Sequence, residues 1–290
     1  MGVIAGSELR LICSSSHSYP PAMLSWYREG KLVSKNYDTI ESSKTTESLY
    51  RIGRVSPSDN KAHLRCNAIN QALDEPYSVN TTLNVLYGPD NLTMTGVFEV
   101  EVGKTINAVC FSNAANPAPK LRFSFDGLDY EPSTFASTPT VAAVAVGAYV
   151  VNGTFNQLVR QEHNNKELKC YVENKAANVQ QIVTRQIKVL YPPDSLDISY
   201  ASENLVVNEG TKVRIVCTSR GGNPLPDFEW TLNGKTKMSP LSTQSIVYTV
   251  ESTLDLVLQR DYHETMIQCQ ASNKVGVLKK SVNIKVSCNY

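Results

Sequence analysis

Seven cysteines are the residues of this chain whose type and spacing promise chemistry: Cys13, Cys66, Cys110, Cys170, Cys217, Cys269 and Cys288. A thiol can serve as a nucleophile, a metal ligand or half of a disulfide. The first six fall into three pairs, separated by 53, 60 and 52 residues, and the leading members lie 97 and 107 residues apart. Zinc ligation fits poorly. No C-x-x-C occurs, and the four histidines (His17, His63, His163 and His263) are scattered. Catalysis has no visible scaffold either, with no phosphate loop, no G-x-G-x-x-G and no nucleophile elbow. His263-Glu264 starts a metalloprotease-like string, but Gln268 stands where the second histidine is required. The expectation is a protein that is not an enzyme and that carries no metal and no cofactor.

Other residues keep the phase of the cysteines. Seven positions before each leading cysteine lies Gly6, Gly103 or Gly210. Four and two positions before lie Leu9 and Leu11, Ile106 and Ala108, Val213 and Ile215. With the cysteine they make a period-two apolar row, the mark of a half-buried strand that turns its cysteine to a core. Seven positions after comes Pro20, Pro117 or Pro224, eleven after comes Leu24, Leu121 or Phe228, and thirteen after comes Trp26, Phe123 or Trp230. Each second cysteine is preceded at two by Leu64, Leu168 or Ile267 and followed at four by Asn70, Asn174 or Asn273. The chain reads as three copies of one all-β unit, spanning 1–88, 89–191 and 192–290.

This pattern resembles the immunoglobulin superfamily over essentially the whole chain. In that fold two sheets pack about 10 Å apart, each pointing a cysteine inward. The expected disulfides are Cys13–Cys66, Cys110–Cys170 and Cys217–Cys269, with Trp26, Phe123 and Trp230 as the rings packed on them. Closing each loop stabilises its domain by roughly 4 kcal/mol on the chain-entropy model. From ring to second cysteine there are 40, 47 and 39 residues, too few for the extra strand pair of variable-type domains, so I- or C2-type sandwiches are expected. Two departures stand out. Phe123 replaces the usual Trp, and Leu64, Leu168 and Ile267 stand where a tyrosine corner would place Tyr. The corner has to be held another way.

Composition sets the surroundings. Lys plus Arg number 28 and Asp plus Glu 27, a net charge of +1 that gives no reason to expect nucleic acid. No stretch approaches the roughly 20 apolar residues that span a bilayer, and Met1 runs into strand-like sequence with no leader. More chain is expected on both sides, and membrane attachment only through a segment absent from this sequence. Sequons at Asn80, Asn91 and Asn152, beside the disulfide pairs, point to N-linked glycans and the extracellular side of the plasma membrane. The first two units close with Asn84-Val85-Leu86-Tyr87-Gly88-Pro89 and Lys188-Val189-Leu190-Tyr191-Pro192-Pro193. Strand runs into proline with no flexible linker. An elongated semi-rigid rod is expected, with limited bending at Gly88 and a stiffer joint at Pro192-Pro193.

Three further features could serve binding. Val141–Val151 is read first as a buried strand and second as an exposed adhesion patch. Lys279, Lys280 and Lys285 read as a solvated strand face ahead of a heparan sulphate contact. Cys288 is unpaired by count and is read as a buried or truncated thiol ahead of an intermolecular bridge.

Finer strings narrow the branch. Gly221-Gly222-Asn223-Pro224 and the corner Ser58-Asp59-Asn60 resemble the middle domains of nephrin-type receptors and their invertebrate relatives. The resemblance implies cell–cell adhesion, with other immunoglobulin-superfamily ectodomains, Kirrel-type among them, or a second copy as partners. It also implies that these units could be the spacer behind a binding face elsewhere. The ectodomain of a signalling receptor such as a receptor kinase and a soluble matrix protein are the competing readings.

Overall fold

The computed structural model describes residues 2–139, 147–200, 206–237, 243–246 and 248–287. Among these residues all regular structure is β, apart from three single 3-10 turns at Pro57–Asp59, Gln161–His163 and Arg260–Tyr262. Packing gathers the chain into two compact units. One is Met1–Gly96, Asn107–Asn156 and Glu167–Arg185. The other is Val97–Ile106, Gln157–Lys166 and Gln186–Tyr290.

In the first unit, Leu9–Ser14, Thr45–Ile52 and Asp38–Ile40 form one sheet, and Lys31–Ser34, Met23–Arg28, His63–Ile69 and Tyr77–Thr82 the other. The alternation seen in the sequence is the alternation of burial. In Met23–Arg28 the side chains of Leu24 and Trp26 are buried and Met23 is exposed, as a strand with one wet face requires. The second sandwich repeats this plan with Thr105–Ala115 and Tyr149–Leu158 in one sheet, Lys120–Phe125 and Glu167–Asn174 in the other. In the second unit, Lys188–Tyr200, Lys212–Asn223 and Thr249–Val257 share a sheet of the third sandwich, with Asp227–Leu232, Thr265–Ser272 and Val277–Ser287 in its partner.

Cys13–Cys66, Cys110–Cys170 and Cys217–Cys269 are joined, each pair with Cα atoms 6.5 Å apart. Strand register sets Trp26 opposite Cys66, Phe123 opposite Cys170 and Trp230 opposite Cys269. Every ring is thus the cross-strand neighbour of its second cysteine. Trp230 donates its indole N–H to Ser252 Oγ at 2.9 Å, while the buried Trp26 Nε1 has no hydrogen-bond partner among the described residues. Phe123 needs none. Its ring lies 5.4 Å from Phe155, which also meets Phe125 at 5.7 Å and Tyr130 at 5.4 Å, so Phe123 belongs to an aromatic cluster centred on Phe155.

The glycines seven residues before the leading cysteines have one job. Gly6, Gly103 and Gly210 sit at φ +88, +78 and +84, a region a Cβ makes costly. In that turn their N–H groups reach the carbonyls of Val55, Val159 and Leu258.

Candidate functional site: the interdomain joints

The joints are built on the corners that lead into the strands of the second cysteines, His63–Ile69, Glu167–Asn174 and Thr265–Ser272. In the first sandwich Asn60 Oδ1 accepts the N–H of Val85 at 2.9 Å. In the second, Asn164 Oδ1 accepts from Val189 at 3.0 Å, and in the third His263 Nδ1 meets the backbone of Val286, 2.8 Å from its carbonyl and 3.2 Å from its nitrogen, with the tautomer setting which bond is made. These residues lie six positions before the second cysteines. A side chain that satisfies a strand N–H takes over the task of the missing tyrosine. Beside Asn60, burial opposes ionisation of Asp59, but the Ser56 N–H and the Arg28 guanidinium hold its carboxyl below the usual range.

The following sandwich docks on that corner. At the first joint, within the first unit, Tyr87 and Asn116 exchange backbone hydrogen bonds of 2.9 Å each. Asn116 Nδ2 donates to the Val85 carbonyl at 2.6 Å and to Asn84 Oδ1 at 3.0 Å, with Asn60 Oδ1 at 3.4 Å. Asn174 Nδ2 donates to the carbonyls of Tyr87 at 3.2 Å and Pro117 at 2.8 Å. A Cβ on Gly88 would fall inside the Val179 side chain, so only glycine permits this approach.

The second joint, within the second unit, repeats these contacts. Tyr191 pairs with Asn223 in strand register. Asn223 Nδ2 donates to the Val189 carbonyl at 2.7 Å and to Asn164 Oδ1 at 3.2 Å. Asn273 Nδ2 donates to the carbonyls of Tyr191 and Pro224, both at 2.8 Å. An ion-pair fork is added here, with Glu99 meeting Lys274 at 2.5 Å and Lys188 at 3.0 Å. One continuous strand, Lys188–Tyr200, runs through the joint. It pairs in parallel with Glu99–Glu101 and then antiparallel with Lys212–Asn223. Pro192 and Pro193 stand where the strand changes partner, and the register shifts between Pro193 and Ser195, a place where a missing N–H is tolerated.

The remaining candidates are placed as follows. Residues 141–146 of the apolar stretch, and Cys288, lie outside the described residues. At the described end of that stretch Val151 is buried, and Ala148 is buried among Leu83, Val85 and Tyr87 of the first joint. Lys279 and Lys285 share one face of their strand and Lys280 takes the other, paired with Asp197 at 2.6 Å, so the three do not form one cationic cluster. Asn80 is exposed on the edge strand Tyr77–Thr82, Asn91 is exposed just before Leu92–Gly96, and Asn152 is half-buried opposite Ala136. Among the described residues no group of His, Cys, Asp or Glu is placed to hold a metal ion, and no helix is long and apolar enough to cross a membrane.

Asn116 escaped the sequence reading, and Asn223 entered it only within the string Gly221-Gly222-Asn223-Pro224, with no role in a joint. Each directly precedes the proline that the repeat had marked, and the signal was the Asn-Pro pair in two copies against Tyr19-Pro20 in the other. Tyr19, which takes the place of these docking asparagines, is 81% exposed.

The sequence pattern of the CD80-like C2-set immunoglobulin domain matches residues 2–76 and 200–276, together more than half of the chain. Nephrin of Mus musculus is 28% identical over 243 residues, 83% of this chain and 19% of that protein. Kin of IRRE-like protein 2 of Mus musculus is 25% identical over 239 residues, 81% of this chain and 31% of that protein. The chain spans about a fifth of the length of the nephrin it matches. The crystal structure of the mouse nectin-like molecule 4 ectodomain, Ig1 to Ig3, superposes with a TM-score of 0.60 at 19% identity, covering 99% of this chain and 96% of that one; at this identity the likeness is one of fold. The two pattern matches, on sandwiches bridged and joined in the same way, place the chain in the C2-set immunoglobulin domain family.

Proposed function

We propose that this chain is part of the extracellular region of a nephrin-like cell-surface adhesion receptor, and that its three sandwiches, 1–88, 89–191 and 192–290, act as a spacer that holds a recognition surface at a set position. Recognition, not catalysis, is its work. Its partners in this reading are other immunoglobulin-superfamily ectodomains, of the Kirrel type, or a second copy. Asn80, Asn91 and Asn152 carry N-linked glycans on the outer side of the plasma membrane.

The observation that carries the spacer reading is the repeated joint. Asn116 and Asn223 make the same contacts on Val85 and Val189. A chain selected for independent domains would have no use for two copies of one buried amide lock. The similarity to nephrin over 83% of the chain supports the adhesion reading.

Surface plasmon resonance of this chain against a panel of such ectodomains, itself included, tests the division of labour. The spacer reading expects silence from these sandwiches and binding by a longer chain that contains them. Specific binding lost on mutating the exposed strand of one sandwich would instead make them the recognition unit.

A further inference from the structure

The outer strand of a sheet presents unpaired N–H and C=O groups and is open to unwanted pairing, against which charged side chains are a common protection. Among the strands whose side chains are described, two have every residue exposed, Tyr77–Thr82 and Thr134–Pro139. Each is the terminal strand of its sheet, and neither holds a charged residue. Tyr77–Thr82 contains the sequon of Asn80. Thr134–Pro139 contains none, and its setting is the more hazardous. No Asp, Glu, Lys or Arg occurs from 132 to 159, and an uncharged run rich in Val, Thr and Phe favours pairing between chains. Phe135, on this strand, is 51% exposed.

The polar groups this edge does offer are hydroxyls. Thr134 Oγ1 is taken up by Thr154 Oγ1 at 2.7 Å, whereas no hydrogen bond engages the hydroxyls of Ser137 and Thr138 among the described residues. Register sets Ala136 opposite Asn152, Ser137 opposite the buried Val151 and Thr138 opposite Val150. By alternation Thr138 shares the outer face of the sheet with Asn152, and Ser137 takes the other face. Pro139 holds Thr138 in an extended conformation, and on an edge strand its missing N–H is tolerated.

We propose that Thr138 is an O-glycosylation site, the counterpart on this edge of the Asn80 sequon on the other. This rests on the extracellular reading above, since the sugar is added on the way out of the cell. Thr138 Oγ1 bonds to the anomeric carbon of a sugar activated there as a phosphate ester. The phosphate-bearing carrier leaves, and the hydroxyl proton passes to the transferase. A bulky, hydrated sugar on the strand then hinders the approach of a second one.

The test secretes the chain from cultured animal cells and digests it with trypsin. The fragment Phe123–Arg160 contains both Thr138 and Asn152, so a single peptide reports both modifications. After enzymatic release of N-glycans it is expected to keep the added mass of a hexose or an N-acetylhexosamine, located on Thr138 by fragmentation and lost in Thr138→Val. Asn152→Gln is expected to keep that mass, which guards against crowding by the neighbouring N-glycan. Thr138→Val is also expected to lose monomer to larger species in size-exclusion chromatography. A fragment glycosylated at Asn152 but bare at Thr138, and bare at Thr138 in Asn152→Gln as well, overturns the inference and leaves the extracellular reading standing. A sugar found only on another hydroxyl of the fragment overturns it too. A fragment bare at both positions, with Asn80 and Asn91 bare as well, overturns the site and the extracellular reading together.

Discussion

The side-chain amide of Asn116 meets the carbonyl of Val85 at 2.6 Å across the boundary between two sandwiches, and Asn223 repeats the contact on Val189 at 2.7 Å. Removing the amide leaves a buried carbonyl and the Asn60 carboxamide short of a donor, which costs about 1–3 kcal/mol. Asn116→Ala is expected to lower the unfolding midpoint and to let the first sandwich reorient independently in nuclear-spin relaxation. Asn116→Asp should be worse, since a carboxylate would face three oxygen acceptors. Unchanged relaxation in both variants would remove the amide lock from the joint.

At the second joint Glu99 offers a titration. Lys274 first, then Lys188, hold its carboxyl below the ordinary 4.5. A carboxyl depressed in the folded state stabilises above its ordinary value, and that contribution is lost as pH falls through the lowered one. The protection of the 273–276 loop amides, measured relative to intrinsic exchange at each pH, should therefore fall on acidification below 4.5. In Glu99→Gln the loop should be looser at neutral pH and this added acid sensitivity should be gone. Equal pH profiles for the two proteins would count against the fork.

The two tryptophans occupy matching positions with different polar fates. Trp230 bonds Ser252 and Trp26 bonds nothing described. Replacement by Phe should therefore cost more at Trp230 than at Trp26, by about 1–2 kcal/mol, the worth of a buried hydrogen bond. Chemical denaturation of the two single variants, followed through backbone amide signals of the mutated sandwich, gives the comparison, and equal losses would remove the Ser252 bond from the account.

On the surface of the third sandwich Asp255 takes a two-pronged bond from Arg214, at 2.9 and 3.1 Å, and Lys212 at 3.3 Å. Its carboxyl is pushed down to about 2, chiefly by the Arg214 bond. The sign is that of Glu99, with the window placed lower, between the ordinary 3.8 and about 2. Asp255→Asn should flatten the acid unfolding of the third sandwich across that window while leaving the disulfide intact. A wild-type profile already flat there would contradict it.

How far the sequence reaches can be judged residue by residue. Side-chain phase was legible because it is set by local geometry. The cysteine, the apolar residues at four and two before it and the ring at thirteen after it all lie on strands whose inward positions recur with period two. The replacement of Trp by Phe123 was visible, but the compensation was not, since Phe155 comes from a strand remote in sequence and meets it only after folding. Leu64, Leu168 and Ile267 were legible as departures from a tyrosine corner and Asn60 as part of its replacement in the first sandwich, whereas Asn164 was not singled out. The second role of Asn60 and Asn164, as the seat of the next sandwich, depends on pairing across a boundary that local patterns do not encode. Prolines at seven after each cysteine drew notice, whereas the asparagines before them act in the joint.

The strand Lys188–Tyr200 belongs to two sheets at once, and this gives the joint a parity. Side chains of a strand alternate faces, so adding or removing a single residue near Pro192 would turn every downstream side chain of that strand to the opposite face. Leu196, buried in the third sandwich, would change places with exposed Asp197. Length at this boundary can therefore change comfortably only in steps of two.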